Sequence, residues 1–444
     1  MKLEEAIDFM SSEAKKLSPS QFDILGSESE STGIEIFEGK VKNTELANSR
    51  GIGIRFFLNG SPGISYTEKF TKEAIAQTVK DAFGNARITD PMDLDLPEMV
   101  ALATIDLDVY REELNQVKTD DLIAIGIELE KIALAQDKRI LNVPYLGVSM
   151  SSGNSMILNS KGVRYTNRSN GISGGLGVVA KVGSISKMGS FSRGGRSLDI
   201  FDTEYMAKTA VERAVELLDA ESVPSKKYPI VFSNRVSGSI IGMFLSPYFA
   251  EAVQKGQSRL EGKVGETIGV PTFTMSSQPH LVGFPGSGLF DSEGVPTREI
   301  SIVKNGILQT YLYNLESAKK ANVLPTGTGA RSYAGKAGTG ISNLIVEKGT
   351  KSLNELLSIY PECLYITKLE GSSGCSAISG EISIGVQGHL YTNGERNRAV
   401  DKITLSSNYF ELIKNIDFFS NEYNDNFSSV KVPDFLVKEM NVAG

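Results

Sequence analysis

Gly51-Ile52-Gly53-Ile54-Arg55-Phe56-Phe57 sets small or polar residues between large apolar ones. Successive side chains of a strand point to opposite faces, so this stretch predicts a strand with one buried face. Upstream, Gly33-Ile34-Glu35-Ile36-Phe37 carries the same alternation, and Asn59-Gly60 marks a tight turn just past the first stretch. Before these strands, Ala6, Ile7, Phe9, Met10 and Ala14 recur near helical spacing across residues 3–17. After them, a helix starting near Thr71 puts Ala74, Ile75, Val79, Ala82 and Phe83 on one side. Hairpins closed by a helix make one α+β unit.

The same grammar recurs further along. Ile88 to Ala103 is acidic, aperiodic and interrupted by proline, which reads as a linker. Asp120 to Gln136 is helical by the spacing of Leu122, Ile123, Ile127 and Ile132. Strand-like pieces follow at Tyr145–Ser151, Ser155–Leu158, Gly162–Asn167 and Gly171–Val182, and a helix from Thr203 to Leu218 closes the unit. This points to a loosely duplicated topology, although hairpins followed by helices are also common in unrelated folds. A second boundary falls at Glu221–Lys227, after which Tyr228-Pro229-Ile230-Val231-Phe232 reads as a buried strand and Ile240 to Lys255 as a helix. Beyond Lys263 the chain is short strands and glycine-rich turns, as in a barrel or sandwich. The expected fold class is therefore α+β, divided into 1–103, 104–222 and a sheet-rich 223–444.

Length and composition narrow the function classes. A chain of 444 residues, 40% hydrophobic and 22% charged, is long enough for two or three globular domains. Its formal charge of −7, without a Lys/Arg run, disfavours nucleic acid as a partner. No window approaches the roughly 18 apolar residues of a membrane span, and MKLEEAIDFMSSEAKKL lacks the apolar stretch of a signal peptide. Cys363 and Cys375 form neither a disulfide framework nor a CxxC pair. The expectation is a cytoplasmic protein that binds neither membrane nor nucleic acid.

Four segments carry a more specific signal: Gln257-Ser258-Arg259-Leu260-Glu261-Gly262-Lys263-Val264-Gly265-Glu266; Phe290-Asp291-Ser292-Glu293-Gly294-Val295-Pro296-Thr297, leading to Asn305-Gly306; Pro325-Thr326-Gly327-Thr328-Gly329-Ala330-Arg331; and Ile378-Ser379-Gly380-Glu381-Ile382-Ser383, followed by Gly388 to Glu395. In this order they resemble the TldD/PmbA family, the modulators of DNA gyrase, whose active members are metallopeptidases. The resemblance implies two branches. One carries a helical motif of two histidines and a glutamate, with a later cysteine as third ligand; the other, PmbA or TldE-like, lacks it. Counted back from Gly256 and Gly262, the motif positions fall near Ile241, Gly242 and Ser246, and none of these supplies an imidazole or carboxylate. Asn421–Asn441 holds no cysteine. This chain thus resembles the TldE-like branch, with no catalytic residue and no metal or other cofactor of its own.

The resemblance implies a non-catalytic subunit of a two-component metallopeptidase acting on unfolded peptides. The metal would sit in a TldD-like partner, with a homodimer as the alternative assembly of the isolated chain. Thr326, Gly327, Thr328, Gly329 and Arg331 are then candidates for a mobile loop beside a peptide groove, with a plain connecting loop as the equal alternative. A regulatory binding protein and a self-contained hydrolase, using Cys375 or an unrecognised constellation, remain as rivals, and Cys375 has no base tied to it by spacing. His280 and His389 read as structural. The cluster Asp23, Glu28, Glu30, Glu35 and Glu38 reads as a solvated face, and Gly183–Arg196, with Lys187, Arg193 and Arg196, as a flexible basic loop.

Overall fold

The computed structural model describes residues 1–444. The alternating stretch lies at the end of a long strand. Helix α1 (Leu3–Lys16) precedes β1 (Gln21–Phe37), β2 (Lys40–Leu58) and β3 (Ser61–Thr67), and α2 (Lys72–Ala86) follows. The order then repeats: α3 (Thr119–Gln136), β4 (Ile140–Asn159), β5 (Arg164–Val182), β6 (Ile185–Gly195) and α4 (Thr203–Val215). Both halves contribute to a single sheet ordered β3-β2-β1-β4-β5-β6, joined by the antiparallel β1–β4 pair from Asp23↔Asn159 to Glu35↔Gly147. The duplicated topology is thus present in the fold, and the two units share their hydrogen-bonded ladder.

Helices cover only one face of this sheet. Ile24, Ile52, Ile54 and Phe56 pack with Ile7, Met10 and Val79 from α1 and α2. Ile34, Val148, Ile172 and Val178 pack with Leu122, Leu129, Met206 and Ala210 from α3 and α4. On the other face, period-two alternation brings Ser27, Ser29, Ser31 and Gly33 of β1 opposite Ser155, Gly153, Ser151 and Ser149 of β4. That face carries no large side chain through its middle.

Residues 183–196 differ from the expected loop. Only Gly183 and Ser184 turn, and Ile185–Gly195 pairs with β5 along its whole length. Serine and glycine have weak strand preference, but pairing and contacts with the C-terminal domain override it. Lys187 pairs with Asp401 and Arg193 with Asp425. Arg196 donates to Val109 O at 2.9 Å, Asn170 O at 3.0 Å and Gly283 O at 2.8 Å. Residues 87–111, which include the segment expected as a linker, form no helix or strand, and Leu94 and Leu96 are buried there with Phe57, Val295 and Leu315.

In the C-terminal part, β7 (Lys226–Phe232) lies between Glu362–Glu370 and Phe435–Ala443. Glu381–Thr392 and Glu395–Asn408 extend the sheet, and Glu395–Asn408 also pairs with Phe435–Ala443, closing a five-stranded barrel. The continuous helix expected over Ile240–Lys255 is broken. Ser237–Gly242 and Ala250–Gln254 are short α-helices separated by a 3₁₀ turn at Ser246–Tyr248. Pro247 inside that turn cannot donate a backbone hydrogen bond, which prevents a continuous ladder. No helix is long and apolar enough to cross a membrane.

Candidate functional site

The bare end of the N-terminal sheet faces the Phe290–Thr297 and Pro325–Arg331 segments across a cleft of ≈ 390 Å³. Leu25, Ser27 and Ser155 line the sheet side, and Asp291, Gly329 and Arg331 the other. Two of the segments that carry the family resemblance therefore meet on one wall.

A buried charge network holds the walls together. Arg55 on β2 donates from Nη2 to Asp23 Oδ2 at 2.6 Å and from Nη1 to Glu293 Oε1 at 3.0 Å. Glu293 Oε2 accepts from the Leu315 backbone N–H at 2.8 Å. Arg331 Nε donates to Ser292 O at 3.0 Å. Its Nη2 lies 3.0 Å from Asp23 Oδ1, an ion pair by distance but without hydrogen-bonding alignment. Asp23 is 0% exposed, so the expected solvated acidic face does not include it; Glu30, Glu35 and Glu38 are exposed and Glu28 is half-buried. Burial pushes the Asp23 carboxyl up, but Arg331 and Arg55 together hold it below the usual carboxylate range.

Asp291 ties the two C-terminal segments to each other. Its Oδ1 accepts from the N–H groups of Glu293 and Val295, at 2.9 and 3.0 Å, and its Oδ2 from Gly329 N–H at 2.7 Å. Burial and the neighbouring Glu293 carboxylate push Asp291 up to about 7, against those three donors. Gly329 must be glycine here: a Cβ would stand 2.8 Å from Glu293 Oε2 and 2.9 Å from Asp291 Oδ2. Thr326, Gly327 and Thr328 are buried. The Thr326 hydroxyl accepts from Tyr313 N–H at 2.7 Å and lies 2.6 Å from the Thr328 hydroxyl, so the loop's side chains anchor it inward. Beyond Arg331 the chain lays Tyr333 on β2, where its ring occupies the space a Cβ at Gly51 would need and its carbonyl the space at Gly53. Sequence reasoning found the loops but missed Asp23, Arg55, Asp291, Glu293 and Tyr333 as one assembly. Arg55 facing a buried position in an otherwise apolar strand was the available signal.

The degenerate motif positions lie elsewhere. Ile241 is 0% exposed inside the C-terminal core, Gly242 ends the short helix Ser237–Gly242, and Ser246 begins the next turn. One serine hydroxyl offers no zinc ligand set, so these residues do not fit the metal expected of the active branch. No three His, Cys, Asp or Glu side chains cluster to hold a metal ion. His280 Nε2 lies 3.0 Å from the Thr297 hydroxyl at the cleft's edge. His389 is buried in the barrel with Nε2 3.4 Å from Glu216. Burial pushes the Cys363 thiol up to about 11, and Cys375 is half-buried against Ser383 O.

The chain matches three family models in sequence: PmbA/TldA metallopeptidase domain 1 over 22–86, the central domain over 112–218 and the C-terminal domain over 225–444. It is 28% identical over 422 residues to Metalloprotease PmbA of Escherichia coli O157:H7, covering 94% of this chain and 91% of that one. A Thermotoga maritima crystal structure bearing the name of a DNA gyrase modulator superposes with a TM-score of 0.90 at 27% identity, covering 100% of both chains. TldE from Thermococcus kodakarensis shares the fold, with a TM-score of 0.87 at 20% identity over 99% of each chain.

Proposed function

Because the chain belongs to the PmbA/TldD metallopeptidase family, we propose that it is the non-catalytic subunit of a two-component metallopeptidase acting on unfolded peptides. The observation that carries this reading is the donor set at Ile241, Gly242 and Ser246, which offers neither zinc ligands nor a carboxylate to activate water. The metal and the base then belong to a TldD-like partner. This chain contributes the cleft beneath the Thr326–Arg331 loop and the sheet face paved with serine and glycine. Such a face admits an extended backbone without selecting its side chains, which suits an unfolded peptide better than a small rigid substrate.

The test measures bound transition metal and cleavage of an unstructured peptide for this chain, for a TldD-like subunit, and for the two mixed. Support would be a metal-free, inactive chain that raises the partner's activity several-fold in the mixture. Stoichiometric metal or chelator-sensitive cleavage by the chain alone would refute the proposal.

A further inference from the structure

Two glycines place the Tyr333 side chain. Three of its ring carbons fill the space a Cβ at Gly51 would need, and its carbonyl fills the space at Gly53. One face of the ring therefore lies against backbone, and the other is turned away from the sheet at the end of the cleft that Tyr333 lines. Tyr66 stands beside it. β3 pairs Tyr66 directly with Gly53, and opposed residues of an antiparallel pair point to the same face, here the one without helices. The two ring centroids are 6.0 Å apart, the planes are inclined at 54°, and Tyr66 is 50% exposed. Glu68, also exposed, accepts a hydrogen bond from the Tyr333 hydroxyl on Oε1 at 3.0 Å.

These three groups present the same sign of charge to solvent. The face of an aromatic ring is electron-rich, and a carboxylate is an anion. Elsewhere the chain supplies its own cation to such rings: Arg168 lies 3.9 Å from the centroid of Tyr110, and Arg193 lies 5.6 Å from that of Tyr205. Tyr66 and Tyr333 have no lysine or arginine over them. Glu68 makes no ion pair, and its one hydrogen bond leaves Oε2 free.

We propose that Tyr66, Tyr333 and Glu68 form a subsite for a basic side chain, lysine or arginine, of a peptide entering the cleft. The inference rests on the peptide-holding role proposed above and adds the residue type preferred at this end. The alkyl stem of such a side chain covers the rings while its charged head meets a ring face and the free oxygen of Glu68. All of these groups stay in contact with water, so the gain is modest. A cation over an exposed ring and an exposed ion pair together amount to about tenfold in affinity.

Fluorescence anisotropy of the full chain alone measures this, with a labelled Gly/Ser peptide carrying one lysine and the same peptide carrying glutamine instead. The lysine peptide should bind about tenfold more tightly. Because the chain carries a formal charge of −7, general attraction for a basic peptide needs its own control. Tyr66→Leu keeps the net charge and should still cut the preference at least threefold, as should Glu68→Gln. Glu128→Gln makes the same charge change on α3, across the sheet, and should leave the preference intact. The subsite is overturned if the two peptides bind equally, or if Tyr66→Leu keeps the full preference, or if Glu128→Gln lowers it as much as Glu68→Gln does. Equal binding would overturn the subsite alone, whereas binding of neither peptide would overturn it together with the peptide-holding role.

Discussion

At Arg55 one side chain serves two domains. Its guanidinium binds Asp23 on the neighbouring strand and Glu293 from the C-terminal part, with all three side chains 6% exposed or less. Removing one partner of a buried ion pair leaves charge without solvent or counter-ion, so Arg55→Met should cost about 3–5 kcal/mol, read as a lowered urea midpoint. Arg398→Ala, which breaks an exposed pair with Glu221, should cost about 1 kcal/mol or less in the same assay. Equal losses would show that burial is not what gives the network its weight. Gly53 makes a steric case. A Cβ there would lie 1.8 Å from the Tyr333 carbonyl, and backbone cannot yield as a flexible side chain does. Gly53→Ala should lift the Ser332–Lys336 segment from β2, and limited proteolysis should then cut there several-fold faster than in the unaltered chain. Unchanged cleavage would mean that Tyr333 does not hold the segment down.

Among the elements, β6 shows what local pattern conceals. Its Ile185–Gly195 sequence is short of strand-forming residues, and its placement depends on β5 along one edge and on basic side chains gripping the C-terminal half. Arg196, just past the strand, donates to three backbone carbonyls from three separate segments. Arg196→Met should lose charge-assisted bonds each worth about 1.5–3 kcal/mol, and exchange across 185–195 should accelerate while α1 and α2 stay protected. Uniform acceleration over the whole sheet would instead place the effect on global stability. The strands that could be read beforehand, such as Ile52–Phe57 and Tyr228–Phe232, are those whose own side chains fill a core. Those misread depend on partners distant in sequence. The same division holds at the site: glycine-rich segments stand out locally, but the Asp23–Arg55–Glu293–Arg331 assembly joins positions up to 308 residues apart (331 − 23) and has no local period. The broken helix over 240–255 is the opposite case, since the residue that interrupts it, Pro247, is a local feature of the segment itself.

For the whole molecule, the barrel's closure depends on the last strand of the chain. Phe435–Ala443 pairs with β7 on one side and with Glu395–Asn408 on the other, so it joins the start of the C-terminal part to its end. Phe435, Leu436, Val437, Met440 and Val442 are all buried there. At about 1.5–3 kcal/mol for each buried apolar side chain, their loss amounts to roughly 7–15 kcal/mol. That is as large as the roughly 5–15 kcal/mol by which a whole domain is usually stable. Deleting residues 435–444 should therefore unfold the barrel rather than loosen it: hydrogen exchange should show 226–232 and 362–408 unprotected. The N-terminal sheet has its own two cores, beneath α1 and α2 and beneath α3 and α4, and the shared β1–β4 ladder lies between them. Strands 21–37 and 140–159 should accordingly keep their protection in the truncated chain. Loss of protection there as well would mean that the buried charges at the cleft, and not only the local cores, hold the sheet in its fold.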